Sequence, residues 1–245
     1  MMIAIGNFLF HYRNGIFPLV YALLALPSAP LMADYRVAAL AGLAVAASGQ
    51  LLRAVTVGLE YIVRGGRHRQ VYADKLVQGG IFAHCRNPLY VGNFIIILGV
   101  GLASNSRLFL GVALPFFAFA YWAIIAAEEN YLRSKFGAEF DAYCARVNRL
   151  LPRLSGFSRT LVGMEFNWRR LITAEYGSAY IWIAAIAAVT LKNAWMVGQY
   201  HSDNFVVWAA WSLLVAATLA YLLARLLKKS GVLKSSAPSA RLDCA

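Results

Sequence analysis

An all-α, multi-pass membrane protein is the fold class predicted by this 245-residue chain, and three observations predict it. Apolar residues make up 60% of the chain and charged ones only 14%, with a mean hydropathy of +0.59, a balance that a water-soluble domain does not need. The apolar residues fall in runs long enough to cross a bilayer, for which about twenty are needed. The basic residues behind the formal net charge of +12 gather between those runs. The positive-inside rule and anionic headgroups account for such clusters, so no nucleic-acid partner is called for.

Taken in order, the runs predict about six transmembrane helices, at Ile16–Met32, Val37–Val63, Leu89–Ala103, Leu108–Ala127, Ala179–Val197 and Phe205–Leu227. No charged segment with a cleavage site precedes the first, and Pro18, Pro27 and Pro30 suit an irregular membrane helix, so the N-terminus is expected to be retained. Arg64, Arg67, Arg69, Lys75 and Arg86 precede the third run, and eight arginines and lysines follow the fourth, from Arg133 to Arg170. Both segments are therefore expected in the cytoplasm, with both termini there too. The loops near Asp34–Arg36, Ser104–Arg107 and Lys192–Asn204 are poor in positive charge and are expected outside, where His201 and Asp203 would face water.

The segment Glu128–Pro152 predicts an extension of the fourth helix, a turn at Gly137 and an amphipathic helix with Phe140, Tyr143 and Val147 on one face, forming a helical cytoplasmic cap. Between Leu161 and Tyr176, apolar residues alternate with Arg169 and Arg170, which suggests a helix lying along the headgroups. The stretch after Gly231 reads as a short disordered tail. Domain organisation follows as a membrane core at 1–153 and, at 154–245, the interfacial helix, two additional transmembrane helices and the tail. Cys85, Cys144 and Cys244 lack paired spacing and fall on the cytoplasmic side, so neither a disulfide nor a metal is expected. Cys244 does not stand fourth from the end, so prenyl chemistry is expected only on a substrate.

Two blocks place polar groups where a membrane helix avoids them. The first runs from Gly80 to Gly92 and carries Phe82, His84, Arg86, Asn87, Pro88 and Tyr90 at the start of the third span. Pro88 suits a first helical position and pushes Asn87 out of helical geometry, leaving the polar residues on an ordered interfacial turn. A purely structural reading makes Arg86 a snorkelling anchor, Tyr90 a belt aromatic and Gly92 a packing notch. The second block is Glu128-Glu129 at the end of the fourth span, adjacent acids that repel each other and oppose the helix dipole. A bound cationic ligand accounts for them economically; a solvated helix end is the plainer alternative. Arg53 and Glu60, two turns apart on the second run, either line a pocket or pair within the bundle.

The order Gly80-x-Phe82, Arg86-Asn-Pro-x-Tyr90-x-Gly92, Glu128-Glu129-x-x-Leu132, Phe136-Gly137-x-Glu139-Phe140-x-x-Tyr143, Val147-x-Arg149 and Pro152 resembles the superfamily of isoprenylcysteine carboxyl methyltransferases and phospholipid N-methyltransferases. The resemblance implies an S-adenosyl-L-methionine-dependent membrane methyltransferase acting at the cytoplasmic face. It implies a cofactor pocket formed by Gly80, Phe82, Arg86, Asn87, Pro88, Tyr90, Glu128 and Glu129, with Arg86, Tyr90 and His84 as catalytic residues. In this reading Glu128 or Glu129 pairs with the cofactor ammonium, Arg86 with its carboxylate, and Tyr90 and Phe82 pack near adenine or sulfonium, with His84 the nearest candidate base. Two positions depart from the pattern: Asn87 stands where many members have histidine, and Ile124 where the carboxyl branch often has an arginine able to hold a substrate carboxylate. The acceptor therefore stays open among a lipid, a lipidated cysteine and a small thiol. Outside this family, a small transporter or an NADPH-dependent membrane reductase are the competing readings.

Overall fold

The computed structural model describes residues 1–59, 73, 75–162 and 165–233; Glu60, Arg64, Arg67, Arg69, Lys234 and Cys244 lie outside them. The described residues form eight α-helices: α1 (Met2–Tyr21), α2 (Tyr35–Leu59), α3 (Pro88–Ser104), α4 (Leu114–Phe136), α5 (Ala138–Arg146), α6 (Phe157–Val162), α7 (Trp168–Met196) and α8 (Asn204–Lys229). A π-helical turn at Phe109–Ala113 runs directly into α4. Among the described residues, four helices are long and apolar enough to cross a membrane, namely α2, Phe109–Phe136, α7 and α8. That makes the chain an integral membrane protein by length and composition. The 17 residues of α3 rise about 26 Å, slightly short of a ~30 Å hydrocarbon core, and α1 falls outside this set, so the described residues carry four candidate spans where six were expected.

The first predicted span is displaced. Helix α1 begins at Met2 and ends at Tyr21, a 3₁₀ turn follows at Ala22–Ala25, and residues 26–34 are irregular apart from an isolated bridge at Pro30. An apolar window cannot see that Pro27 and Pro30 deny helical hydrogen bonds to this stretch. Its backbone is satisfied instead by Asn105, which accepts from Met32 N at 2.7 Å and donates to Met32 O at 2.9 Å. The predicted headgroup helix is also corrected. After α6, the chain enters α7 at Trp168, capped by Asn167 Oδ1 accepting from Arg170 N at 2.9 Å, and continues without a break to Met196. Buried Glu175 pairs with Arg53 of α2, which holds this stretch inside the bundle.

Helices α2 and α3 are packed backbone to backbone. A Cβ on Gly42 or Gly99 would collide with the facing backbone, and one on Gly49 would lie 2.7 Å from Gly92 O. Gly92, an expected packing notch, leaves room for the Arg53 side chain, whose Cγ would stand 2.6 Å from an added Cβ. Small residues permit this approach, which dispersion and packing then stabilise. A similar notch at Gly6 seats α1 against Ala123 of α4. The main core beyond these seams is built from Val100, Phe109, Phe117, Ile186 and their neighbours.

The loops sort to two ends. At one, Asp203 accepts from Tyr35 Oη at 2.5 Å and from Arg36 Nε at 2.6 Å, contrary to the expectation that it only faces water. The hydroxyl and the guanidinium hold its carboxyl below the usual aspartate range. The other end holds the α4–α5 turn at Gly137, with φ of +51°, and the cap predicted by the Phe140, Tyr143 and Val147 face, which packs as one apolar cluster.

Candidate active site

The Gly80–Gly92 block is strapped to the segment after α5 rather than left as a loop. Gly80 has φ of +57° and opens a 3₁₀ turn at Gly80–Ala83; Asn87 then precedes Pro88, the first residue of α3. Arg86 N donates to Asn148 O at 3.0 Å, Asn87 Nδ2 to Arg149 O at 3.1 Å, and Arg153 N to His84 O at 2.9 Å. The Cys85 thiol lies 3.3 Å from Leu150 O, and burial pushes its pKa up. Tyr143, whose hydroxyl burial also shifts upward, donates to Phe82 O at 2.7 Å and locks the cap onto the block.

Arg86 is the hub. Its Nη1 donates to Cys144 O at 3.0 Å and Val147 O at 2.8 Å, at the carbonyl end of α5 where a cation is favoured, and its Nη2 donates to Glu129 Oε1 at 2.9 Å. Arg149 Nε donates to the same Oε1 at 3.1 Å and its Nη2 to Oε2, so Glu129 sits between two guanidiniums. Arg86 Nε is buried without a partner among the described residues. Glu128 points elsewhere, because adjacent helical residues lie about 100° apart. Its Oε1 accepts from Tyr90 Oη at 2.7 Å, and Arg13 of α1 lies within electrostatic reach. The two acids therefore need no shared cation: Glu129 has its own, and only Glu128 remains without a directly paired base among the described residues.

These groups wall one cavity of about 1140 Å³, open to the exterior. Of the predicted site residues, Phe82, Arg86, Asn87, Pro88, Tyr90, Glu128 and Glu129 line it, whereas Gly80 and His84 are not among its lining residues. His84 is buried, with Nδ1 2.6 Å from Arg153 O and Nε2 2.8 Å from Thr160 Oγ1, and packs edge-on against Phe157 of α6. With both ring nitrogens engaged, it braces α6 instead of facing the cavity, which speaks against a base.

The far wall is built around Arg53, with partners that the sequence reading did not name. Arg53 is 3% exposed and donates to both carboxylate oxygens of Glu175, from Nε at 2.8 Å and Nη2 at 2.9 Å, as well as to Asn93. Gln50 Nε2 donates to Glu175 at 3.2 Å, and Trp182 Nε1 to Gln50 Oε1 at 3.0 Å. Of the two readings of Arg53, both hold, since it pairs within the bundle and lines the cavity. Glu175 itself could have been noticed as a lone acid in an apolar helix. Arg13 was passed over because the predicted first span began at Ile16. Among the described residues, no group of three or more His, Cys, Asp or Glu comes together as a metal site.

Residues 37–139 match the family described as phospholipid methyltransferase. The nickel-cobalt-cadmium resistance protein NccN of Alcaligenes xylosoxydans xylosoxydans is 39% identical over 85 residues, 35% of this chain and 39% of that protein. The cobalt-zinc-cadmium resistance protein CzcN of Cupriavidus metallidurans is 40% identical over 82 residues, 34% of this chain and 38% of that one. The chain thus aligns with under two fifths of the length of these relatives. No solved structure matches it.

Proposed function

We propose that the chain is an S-adenosyl-L-methionine-dependent methyltransferase acting on a membrane-associated acceptor at the cytoplasmic face. The observation that carries this reading is the convergence of the Arg86–Tyr90 block and Glu128 on one cavity, inside the segment that matches the phospholipid methyltransferase family. The cavity volume of about 1140 Å³ exceeds what one drug-sized ligand takes and suits a cofactor beside an acceptor.

The residues present fit that cofactor. Arg86 Nε, buried and unpartnered, is the donor for its carboxylate; Glu128 is the acceptor for its ammonium; Tyr90 and Phe82 offer aromatic faces to the sulfonium and adenine. Asn87 and Pro88 shape the turn against which it rests, with Gly80 setting the turn's start. Glu129 acts through Arg86, holding the guanidinium, and is a positioning residue. When bound, S-adenosylmethionine supplies an activated methyl group: the carbon–sulfur bond breaks, sulfur keeps the electron pair, and the acceptor forms the new bond to carbon. Such a displacement needs in-line placement and exclusion of water, which the cap and the surrounding helices supply. Helix α7, outside the matched segment, contributes Ser178, Ile181 and Trp182 to the same cavity, so it belongs to the working unit. The basic residues at the cavity end support a cytoplasmic site with both termini on that side.

Calorimetric titration of the detergent-solubilised chain with S-adenosylmethionine, S-adenosylhomocysteine and NADPH tests the reading. Micromolar binding of the first two, lost in Glu128→Gln and Arg86→Ala, is the expected outcome. Binding of NADPH alone would favour a reductase, and no binding of any would favour a transporter.

A further inference from the structure

We propose that residues 150–162, the connection that carries α6, form a surface that docks on anionic lipid headgroups, and that this docking steadies the Arg86 block and so tightens cofactor binding. The effect on the cofactor rests on the methyltransferase reading, whereas the docking itself does not. Leu151, Leu154 and Val162 are each at least 76% exposed, on a segment that is not one of the candidate spans, so contact with lipid along a spanning helix does not account for them. Between them stand Arg153 and Arg159, both exposed and, among the described residues, in no ion pair. Topology accounts for arginines on the cytoplasmic side, but not for bare leucines and a valine interleaved with them. That combination suits a segment lying in the headgroup layer, its apolar side chains dipping toward the acyl chains while its guanidiniums pair with phosphates.

The fold sets this segment at the depth where such a contact is made. His84, shortly before α3 begins, has Nδ1 2.6 Å from Arg153 O and Nε2 2.8 Å from Thr160 Oγ1. Beyond α6, Asn167 N donates to Gly58 O at 2.8 Å, and the Phe166 ring fills the notch at Gly58, next to the end of α2. Residues 150–162 therefore lie level with the start of α3, the end of α2 and the start of α7, where three apolar helices reach the same face. The headgroup contact thus precedes α7, instead of falling in the stretch from Leu161 to Tyr176. The same connection holds the candidate cofactor block through its backbone: Asn87 Nδ2 donates to Arg149 O at 3.1 Å, Cys85 Sγ to Leu150 O at 3.3 Å, and Arg153 N to His84 O at 2.9 Å. Arg86 lies between these ties. None of Leu151, Arg153, Leu154, Arg159 and Val162 lines the cavity, so their side chains are left for the lipid while their backbone serves the site. A partner that binds the ordered connection stabilises the block, and by linkage a ligand of the block strengthens the docking.

The test uses the full chain in nanodiscs of phosphatidylcholine alone or mixed equally with phosphatidylglycerol. Two quantities are measured: the emission of a polarity-sensitive fluorophore on Ser158→Cys, in a Cys144→Ser/Cys244→Ser background, and the affinity of the unlabelled chain for S-adenosylhomocysteine. Expected are a blue shift of the label in the mixture and S-adenosylhomocysteine binding about fivefold tighter there. Both gains should vanish at high salt and in Arg153→Gln/Arg159→Gln, whose affinity in phosphatidylcholine alone should match wild type. Emission indifferent to the lipid, an affinity gain that survives in the double variant, or a loss in that variant equal in both lipids would each overturn the proposal, the last by making the two arginines structural supports of the site. A blue shift with unchanged, measurable affinity would overturn the coupling. Absence of S-adenosylhomocysteine binding in either lipid, with the label still responding, would instead overturn the cofactor reading and leave the docking surface standing.

Discussion

Glu128 and Glu129 are neighbours in sequence and opposites in role. Glu129 is 6% exposed and lies between Arg86 and Arg149, whereas Glu128 faces the cavity with Tyr90. Removing the Glu129 charge leaves two guanidiniums facing each other with little water. Glu129→Gln should therefore cost about 2 kcal/mol, less than a fully buried pair because the Arg149 side chain is 29% exposed, and lower the thermal midpoint in detergent by roughly 4–8 °C. Glu128→Gln should leave the midpoint within about a degree and act on cofactor affinity instead. Equal effects of the two on stability would contradict the division. The sequence marked both acids as anomalous but could not divide them, because repulsion between adjacent residues says nothing about what each one faces.

At the scale of elements, the α2–α3 seam and the α2–α7 ion pair rest on different physics. The seam depends on glycines that admit a facing backbone, visible in sequence as small residues recurring every few positions. The pair places Arg53 and Glu175, with side chains 3% and 4% exposed, between helices otherwise joined by apolar contact. Glu175→Gln should destabilise the fold by about 3–5 kcal/mol, since a buried guanidinium loses its counter-charge. The double change Arg53→Met with Glu175→Met should recover most of that loss, measured as chemical or thermal unfolding in one detergent. No recovery would mean that Asn93, Gln50 and Trp182 depend on the ions for their own hydrogen bonds. Element boundaries were legible wherever a local signal marked them, as at Pro88 and Gly137. They were missed at Tyr21 and at Trp168, where apolar composition continues across the boundary and only hydrogen bonding and ion pairing decide where the helix ends or begins.

For the molecule as a whole, the two ends of the bundle should face opposite sides of the membrane. In a variant with Cys85, Cys144 and Cys244 replaced by serine, cysteines at Ser134 and Ser230 should react with an impermeant thiol reagent only from the cytoplasmic side. One at Ser202 should react only from the other side. Labelling of all three from one face would refute the orientation. Composition alone determined that the chain lives in a membrane, because apolar fraction and run length do not depend on contacts. The family resemblance carried by the order of Arg86, Tyr90, Glu128 and Glu129 implied that the two blocks share a site, and in the structure they line one cavity. Tertiary structure decided which charges neutralise each other and which remain for ligands. Arg13, Arg53 and Glu175 come from segments outside that motif order, and a charge is spent or free only according to what lies across the helix interface from it.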